Sequence, residues 1–257
     1  MTRRRFYAPP TAFAPGEQTV VLSAEEARHA RDVLRLHRGD EVYVFDGMEK
    51  EFRCAVREFV RDDAVFDVLE EVEPTRSESP LALALGIVLL KGEKFDLVIQ
   101  KTVELGVTRV IPLDSERVDM RIRNSEDAHN RMTRWRRIAR EAAKQSGRAR
   151  VPEITAPLTL EFLLMSAAEE KESSTEAIRL MFSERGGTSL AETTNNFEPP
   201  ARVVALVGPE GGWTDTEIEL AHAANWNIVT LGGRTLRAET AAIAIVALLQ
   251  HRFGDLT

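Results

Sequence analysis

The fold is indicated most clearly by the stretch Val203-Val204-Ala205-Leu206-Val207-Gly208-Pro209-Glu210-Gly211-Gly212. Its apolar half predicts a buried strand, and its glycine-rich half predicts a loop with a bare backbone. A capping box, Thr214-Asp215-Thr216-Glu217, then predicts the start of a helix. Strand, glycine loop and helix in this order are typical of parallel α/β sheets, which bind ligands at the carboxyl ends of their strands.

The next predicted strand, residues 228–231, repeats this arrangement. It leads into Gly232-Gly233-Arg234-Thr235-Leu236-Arg237-Ala238-Glu239-Thr240 and then into a predicted helix over residues 241–250. One glycine loop alone also fits a tight turn that binds nothing, and neither loop has the spacing of a dinucleotide or ATP-cleaving phosphate loop. Two such loops at adjacent strand ends favour a shared pocket.

Outward from these loops, strands and helices alternate. Apolar runs predict further strands at 81–90, 109–113 and 178–182, and helical spacing from Phe95 to Leu105 predicts a helix that ends at Gly106. This alternation predicts an α/β domain with a parallel sheet over residues 81–257. Residues 165–175 and 195–200 are predicted to be surface excursions.

The amino-terminal part has a different pattern. Ser23-Ala24-Glu25-Glu26 predicts a reciprocally capped helix that ends at Gly39, and Asp46-Gly47 predicts a hairpin between strands at 41–45 and 52–56. With a further strand near 65–72, residues 1–72 are predicted to form a small barrel-like β domain. The polar stretch 73–80, with Pro74 and Pro80, is predicted to be a linker.

Composition narrows the class of protein. The 257 residues include 43% apolar residues and a single cysteine, Cys54, which predicts a folded chain without disulfides or a cysteine-rich zinc site. The five histidines lack ligand spacing, so no metal is expected. The longest apolar runs are about half the roughly 20 residues of a spanning helix, and no secretory signal follows Arg3-Arg4-Arg5. We therefore expect a cytoplasmic protein without a membrane segment.

The net charge is −7, from 34 basic and 41 acidic residues, yet residues 117–150 contain eleven Lys or Arg and four Asp or Glu. Helical spacing there predicts one buried face, formed by Met132, Trp135, Ala139 and Ala142, and a basic stripe of Arg137, Arg140 and Lys144. Such a stripe suits phosphate contacts, with Arg3, Arg4 and Arg5 as an extension, although a solvated helix face fits it as well.

Two further expectations concern packing. The helix at 241–250 is apolar nearly all round, which predicts either a buried core helix or, as we favour, a homodimer contact. Glu104 lies in the last turn of its helix, where a carboxylate is unfavourable unless a cation neutralises it, and Arg117 is the expected partner in a structural ion pair.

Several blocks together resemble the bacterial 16S ribosomal RNA (uracil-N3)-methyltransferase family, which belongs to the SPOUT class of knotted methyltransferases. The match runs in order over nearly the whole chain. The blocks are Lys91-Gly92-Glu93-Lys94, Glu104-Leu105-Gly106-Val107, Ser115-Glu116-Arg117, Gln145-Ser146-Gly147-Arg148, Gly208-Pro209-Glu210-Gly211-Gly212, Leu231-Gly232 with Leu236-Arg237-Ala238-Glu239-Thr240-Ala241, and the tail Arg252-Phe253-Gly254-Asp255-Leu256. Two residues depart from the family pattern. Thr235 takes the place of a residue that is usually aliphatic, and Trp213 takes the place of a residue that is more often Phe or Leu.

The resemblance implies a PUA-like amino-terminal barrel for RNA and a carboxy-terminal domain threaded into a trefoil knot. It implies a homodimer that binds S-adenosylmethionine in three loops and acts on 16S ribosomal RNA of the small subunit. The cofactor-binding residues implied in this sequence are Ser183, Glu184, Gly208, Glu210, Gly211, Gly212, Leu231, Gly232, Leu236, Arg237 and Thr240.

Methylation at uracil N3 removes a proton and builds negative charge on the base, so a cation beside the base would stabilise the reaction. Arg237 is the first candidate for this catalytic role, although a structural role is equally compatible with its position. Glu239 is expected to accept the proton or, as we favour, to orient Arg237. Two other functions stay open: a methyltransferase for a ribose 2′-oxygen or another base, and a noncatalytic RNA-binding assembly factor.

Overall fold

The computed structural model describes residues 3–16, 18–118, 120–169, 177–195 and 200–256. The chain divides into two compact units. The first consists of Met1–Glu78 and Arg140–Val151, and the second of Ser79–Ala139 and Pro152–Thr257. The predicted bounds 1–72, 73–80 and 81–257 stay a prediction; the division into units adds residues 140–151 to the amino-terminal part. The predicted excursions at 165–175 and 195–200 fall in large part outside the described residues.

The first unit is built on a curled β-sheet, as predicted. Within the described residues it has five strands in the order β1-β3-β4-β5-β2, with β1 parallel to β3 and the other pairs antiparallel. The strands are β1 Arg5–Tyr7, β2 Thr19–Leu22, β3 Glu41–Phe45, β4 Glu51–Val60 and β5 Asp63–Val72. Alternate residues of β4, Phe52, Cys54 and Val56, are buried in its core, as the period-two pattern predicts.

The predicted amino-terminal helix is shorter than expected. It consists of α1, Ala24–Arg28, and a π-helical turn, His29–Val33, and does not continue to Gly39. Ser23 Oγ accepts from the Glu26 N–H, but the predicted reciprocal bond is wrong. The Glu26 carboxylate accepts from the Tyr7 N–H at 3.4 Å and from Lys144 Nζ at 2.7 Å, because burial of the glutamate favours a charged partner.

The second unit is an α/β domain with a parallel sheet, as predicted. Within the described part, the strand order is β11-β13-β10-β12-β6-β7-β8, and β9 also pairs with β7. The strands are β6 Ala82–Val88, β7 Arg109–Asp114, β8 Glu153–Ile154, β9 Leu158–Thr159, β10 Ile178–Phe182, β11 Thr188–Ser189, β12 Arg202–Val207 and β13 Asn227–Thr230. The trefoil knot stays a prediction, because strand order alone does not define threading.

Helices cover this sheet. They are α2 Lys94–Glu104, α3 Ser125–Ser146, α4 Leu160–Glu169, α5 Leu190–Asn195, α6 Asp215–Ala223 and α7 Ala238–Phe253; residues 140–146 of α3 belong to the first unit. The predicted apolar face of α3 is confirmed, since Met132, Trp135, Ala139 and Ala142 are all buried. In the described residues, no helix has the length and apolar character needed to cross a membrane.

Helix α7 starts three residues earlier and ends three residues later than predicted. Glu239 and Thr240 therefore lie in its first turn and not in the preceding loop. One face, including Ala242, Val246 and Leu249, is buried in the second unit, whereas Leu248 is 43% exposed. The homodimer stays a prediction.

The predicted ion pair between Glu104 and Arg117 is wrong. Glu104 pairs instead with Lys101, three residues earlier on α2, at 2.9 Å. This lysine supplies the cation that the carboxyl end of a helix favours. The Arg117 guanidinium donates to the Gly211 carbonyl at 2.9 Å, so it holds a glycine loop and not the helix end.

Replacing Gly187 by alanine should destabilise the second unit, because this residue lies next to the backbone of β13. Its φ is +99°, and a Cβ there would lie 2.7 Å from the Ile228 carbonyl oxygen. We expect the free energy of unfolding, measured by urea denaturation, to fall by about 1–3 kcal/mol more than in the control variant.

The control is Gly186→Ala. Gly186 has a similar φ of +73°, but no atom lies within 4 Å of the position that an alanine methyl group would take, so only conformational strain is added. Equal destabilisation by the two variants would contradict the assigned close contact.

Candidate active site

One cavity lies at the carboxyl ends of β10, β12 and β13. These ends share one edge because the strands are parallel and in register: Phe182 pairs with Val207 on one side and with Val229 on the other. The cavity has a volume of about 280 Å³. It is lined by residues 182–184, 207–210, 212–213 and 230–236, together with Ala238, Ala241 and Ile245 of α7.

Both glycine loops reach this cavity, as the sequence predicts. Gly212 has a φ of +67°, and a Cβ there would lie 3.2 Å from a carboxylate oxygen of Glu184. Gly232 and Gly233, with φ values of +69° and +68°, have no atom within 4 Å of the Cβ position. Only glycine adopts these conformations readily, so the loops present bare backbone to the cavity.

Trp213 fixes the first glycine loop. Its side chain is buried, and its indole N–H donates to the Phe182 carbonyl at 2.9 Å. A Cβ on Gly208 would lie 3.0 Å from the same indole ring, so glycine is needed here for a close approach. The end of β10 and the loop that follows β12 are thus joined at the wall of the cavity.

The helix after this loop begins as predicted. Thr214 Oγ1 accepts from the Glu217 N–H, and the Glu217 carboxylate accepts from the Thr214 N–H, which completes the capping box. The other Glu217 oxygen accepts from the Glu116 N–H at 3.0 Å. One buried carboxylate therefore joins the start of α6 to the loop that carries Arg117.

Eight of the predicted cofactor-binding residues line the cavity: Ser183, Glu184, Gly208, Glu210, Gly212, Leu231, Gly232 and Leu236. Gly211, Arg237 and Thr240 do not. A Cβ on Gly211 would lie 3.6 Å from Arg117 Cδ, so this glycine faces an arginine and not the cavity. Arg237 and Thr240 are exposed beside the cavity.

Sequence reasoning missed the apolar wall that Ala238, Ala241 and Ile245 form. Because α7 is apolar nearly all round, its sequence does not indicate which face lies against the loops. Sequence reasoning also missed Lys94. The only signal for this residue was its place in Lys91-Gly92-Glu93-Lys94, one of the blocks that resemble the methyltransferase family.

Three charged side chains meet beside the cavity. Lys94, the first residue of α2, forms an ion pair with Glu210, and its Nζ lies 3.8 Å from Glu239 Oε1. The hydrogen bond from Lys94 lowers the pKa of the Glu210 carboxyl, and Glu210 in turn raises the pKa of Lys94. Glu239 thus pairs with Lys94 and does not orient Arg237 through an ion pair within the described residues.

The predicted RNA-binding residues fall into two groups. Arg5 pairs with buried Glu51 at 3.0 Å, Lys144 with buried Glu26 at 2.7 Å, and Arg140 with Glu25 at 2.7 Å. Arg3 donates to the Glu73 carbonyl and lies 3.6 Å from Glu51. Arg4 and Arg137 are exposed.

The basic stripe is therefore interrupted. Arg5 and Lys144 are largely buried and hold together elements of the first unit, because a buried carboxylate requires a cation. A role of these residues in RNA binding stays a prediction. Across the described ranges, no group of three or more His, Cys, Asp or Glu side chains could hold a metal ion.

Comparison with known families identifies the class of protein. Residues 77–250 match the model of the RNA methyltransferase domain, and residues 22–59 match that of the RNA methyltransferase PUA domain. The parallel sheet with its glycine-lined cavity is thus the methyltransferase domain, and the curled sheet is PUA-like. The chain belongs to the SPOUT RNA methyltransferase family.

Individual relatives agree with this assignment. The chain is 36% identical to the ribosomal RNA small subunit methyltransferase E of Synechocystis over 90% of this chain and 72% of that protein. It is 31% identical to the protein of the same name from Buchnera aphidicola (subsp. Schizaphis graminum), with 93% of each chain covered.

Two solved structures align with this chain over its full length and over the full length of their own chains. The ribosomal RNA small subunit methyltransferase E of Neisseria gonorrhoeae, bound to S-adenosylmethionine, is 35% identical with a TM-score of 0.84. A protein from Legionella pneumophila, solved in complex with the same cofactor, is 30% identical with a TM-score of 0.86.

The hydrogen bond between the Trp213 indole and the Phe182 carbonyl is directly testable. Trp213→Phe removes the indole N–H and leaves the Phe182 carbonyl without this donor, so we expect a loss of about 1–2 kcal/mol in the free energy of unfolding beyond that of the control. Urea denaturation of both variants measures the difference.

The control is Trp226→Phe, since Trp226 is also buried but its indole N–H has no hydrogen-bond partner within the described residues. If the control variant lost as much stability as Trp213→Phe, the hydrogen bond would not be the cause.

Proposed function

We propose that this protein transfers a methyl group from S-adenosylmethionine to N3 of a uridine in 16S ribosomal RNA of the small subunit. The observation that supports this most is the cavity at three adjacent strand ends, lined by both glycine loops, in a chain of the RNA methyltransferase family. Relatives that share about a third of its residues are named small-subunit ribosomal RNA methyltransferases.

The cavity residues fit S-adenosylmethionine. The loops at 207–213 and 230–236 expose peptide groups that suit the adenine and amino-acid ends of the cofactor. Because Gly232 and Gly233 have no side chains, the part of the cavity beside them stays open. Ala238, Ala241 and Ile245 provide an apolar wall for its flat ring. When bound, the cofactor supplies a methyl group already activated by a sulfonium, so the reaction needs no metal.

The residues at the cavity margin then act on the base. The N3 proton of uracil must leave, and the N3 electron pair would form the bond to the methyl carbon as the bond between that carbon and sulfur breaks and its electron pair stays on sulfur. The imide oxygens would carry the negative charge that develops on the base. We assign the exposed Arg237 to stabilise that charge. We assign Glu239 to accept the proton, because its Oε2 has no hydrogen-bond partner within the described residues.

The RNA contributes the remaining requirement. Uracil N3 is hidden in a paired helix, so the target uridine must be unpaired or flipped out of the stack. The exposed arginines Arg4 and Arg137 are proposed to contact phosphates, whereas Arg3, Arg5, Arg140 and Lys144 already have partners within the protein. We further propose that the protein acts in the cytoplasm as a homodimer.

The test of this function is methyl transfer from labelled S-adenosylmethionine to small subunits from a strain that lacks the enzyme. Nuclease digestion and mass spectrometry should yield 3-methyluridine only when protein and cofactor are both present. Naked 16S ribosomal RNA, offered in parallel, reports which form is the substrate. A 2′-O-methylated nucleoside, or another methylated base, would replace the N3 assignment.

Some of the basic residues are exposed and others are paired within the protein, so replacing one of each kind on α3 by an uncharged residue should have different effects. Arg137→Gln should weaken RNA binding and reduce the salt slope of log K by about 1, because one phosphate contact is lost, while the melting temperature stays unchanged. Lys144→Gln should lower the melting temperature, because Glu26 is left buried without its cation.

Filter binding of 16S ribosomal RNA at several salt concentrations and thermal unfolding measure these two effects. Lys101→Gln, which removes a charge paired with Glu104 on α2, controls for net charge. An unchanged salt slope in Arg137→Gln would remove this residue from the RNA-binding surface.

A further inference from the structure

We propose that Lys94 is a positioning residue of the cofactor cavity, which holds the β12 glycine loop and the start of α7 together by neutralising Glu210 and Glu239. This inference rests on the proposed function, since it concerns the binding of S-adenosylmethionine. It is distinct from the proposed methyl transfer step, in which Arg237 and Glu239 act on the base.

The contacts of Lys94 connect three separate elements. The lysine is the first residue of α2, Glu210 lies in the glycine loop after β12, and Glu239 lies in the first turn of α7. Glu210 lines the cavity, and the residue before Glu239, Ala238, forms part of its apolar wall. One cation therefore contacts the glycine loop that lines the cavity and the helix that carries its apolar wall.

The position of Lys94 at the start of α2 indicates that its role lies in its contacts with Glu210 and Glu239. A cation in the first turn faces the positive end of the helix dipole, where an acidic residue is favoured. The two carboxylates opposite offset that unfavourable position. Local helix preference thus does not explain the lysine, whereas its contacts with the glycine loop and with the first turn of α7 do.

The surroundings of Glu239 indicate what happens without the lysine. Its side chain is only 13% exposed, and within the described residues its ion pair is with Lys94. Arg237 and Lys91 are the other cations that influence this cluster. Without Lys94, the Glu210 and Glu239 carboxylates lose their shared cation, and their repulsion separates the loop from the helix.

The experiment measures the dissociation constant of S-adenosylmethionine by calorimetry, with no RNA present. Lys94→Met should weaken binding about fivefold, the upper range for a partly exposed ion pair, because charge is lost while the aliphatic stem remains. Lys94→Arg should bind within about twofold of the unchanged protein, because its charge is retained. Lys101→Met, on the same helix but paired with Glu104, is the matched control and should leave binding unchanged.

A compensating variant separates neutralisation from simple packing. Lys94→Met combined with Glu239→Gln removes one of the two unneutralised carboxylates, so it should recover most of the lost affinity. A packing role for the lysine stem would give no such recovery. Thermal unfolding without cofactor should stay within about 2 °C for every variant, since the Lys94 side chain is 36% exposed.

Two results would overturn the proposal: Lys94→Met binding the cofactor as tightly as the unchanged protein does, or the double variant binding no better than Lys94→Met. Failure of the unchanged protein itself to bind S-adenosylmethionine would instead overturn the proposed function, and with it this inference. The calorimetric series therefore distinguishes the two failures.

Discussion

The pairing of three parallel strands is the constraint on which this site depends. Phe182 lies beside both Val207 and Val229, so the chain leaves the sheet at neighbouring points from β10, β12 and β13. Rigid strands bring the loops together, and the loops need only supply bare peptide groups. The Trp213 indole then ties the first two exits by its hydrogen bond to the Phe182 carbonyl. The family relationship identifies the domain that carries this edge of the sheet as an RNA methyltransferase domain, and the cavity there is the cofactor site that we propose.

In this acidic protein, many basic side chains are paired with carboxylates that lie close in space but far away in sequence. Buried Glu51 and Glu26 each take a basic residue that the sequence places among candidates for RNA binding, namely Arg5 and Lys144. A buried carboxylate left unpaired is strongly unfavourable, so these cations serve the fold of the first unit. The same principle applies beside the cavity, where Lys94 lies between Glu210 and Glu239. Counting basic residues along the chain therefore overestimates the surface available to phosphate.

Much of the fold could be predicted because the responsible signals are local. Apolar runs located the strands at 178–182 and 202–207, and the Thr214 and Glu217 pair located the start of α6. Errors arose where local and tertiary partners compete for the same side chain. Glu26 accepts from Tyr7 and Lys144 instead of closing its own capping box, whereas Glu104 pairs with Lys101 one helical turn away and not with the distant Arg117. Gly211 shows the same limit within the site: a glycine in the right loop faces Arg117 and not the cavity.

The sequence by itself determined the parallel α/β class, the two glycine loops and the family, because strand periodicity, turn chemistry and ordered blocks are properties of neighbouring residues. The tertiary structure alone decided which loop residues face the cavity, which face of α7 forms its wall, and which arginines are exposed. It also decided that Lys94 meets Glu210 and Glu239, residues more than a hundred positions away. Contacts of this kind depend on the relative placement of whole elements, and the spacing of residues along one element carries no record of them.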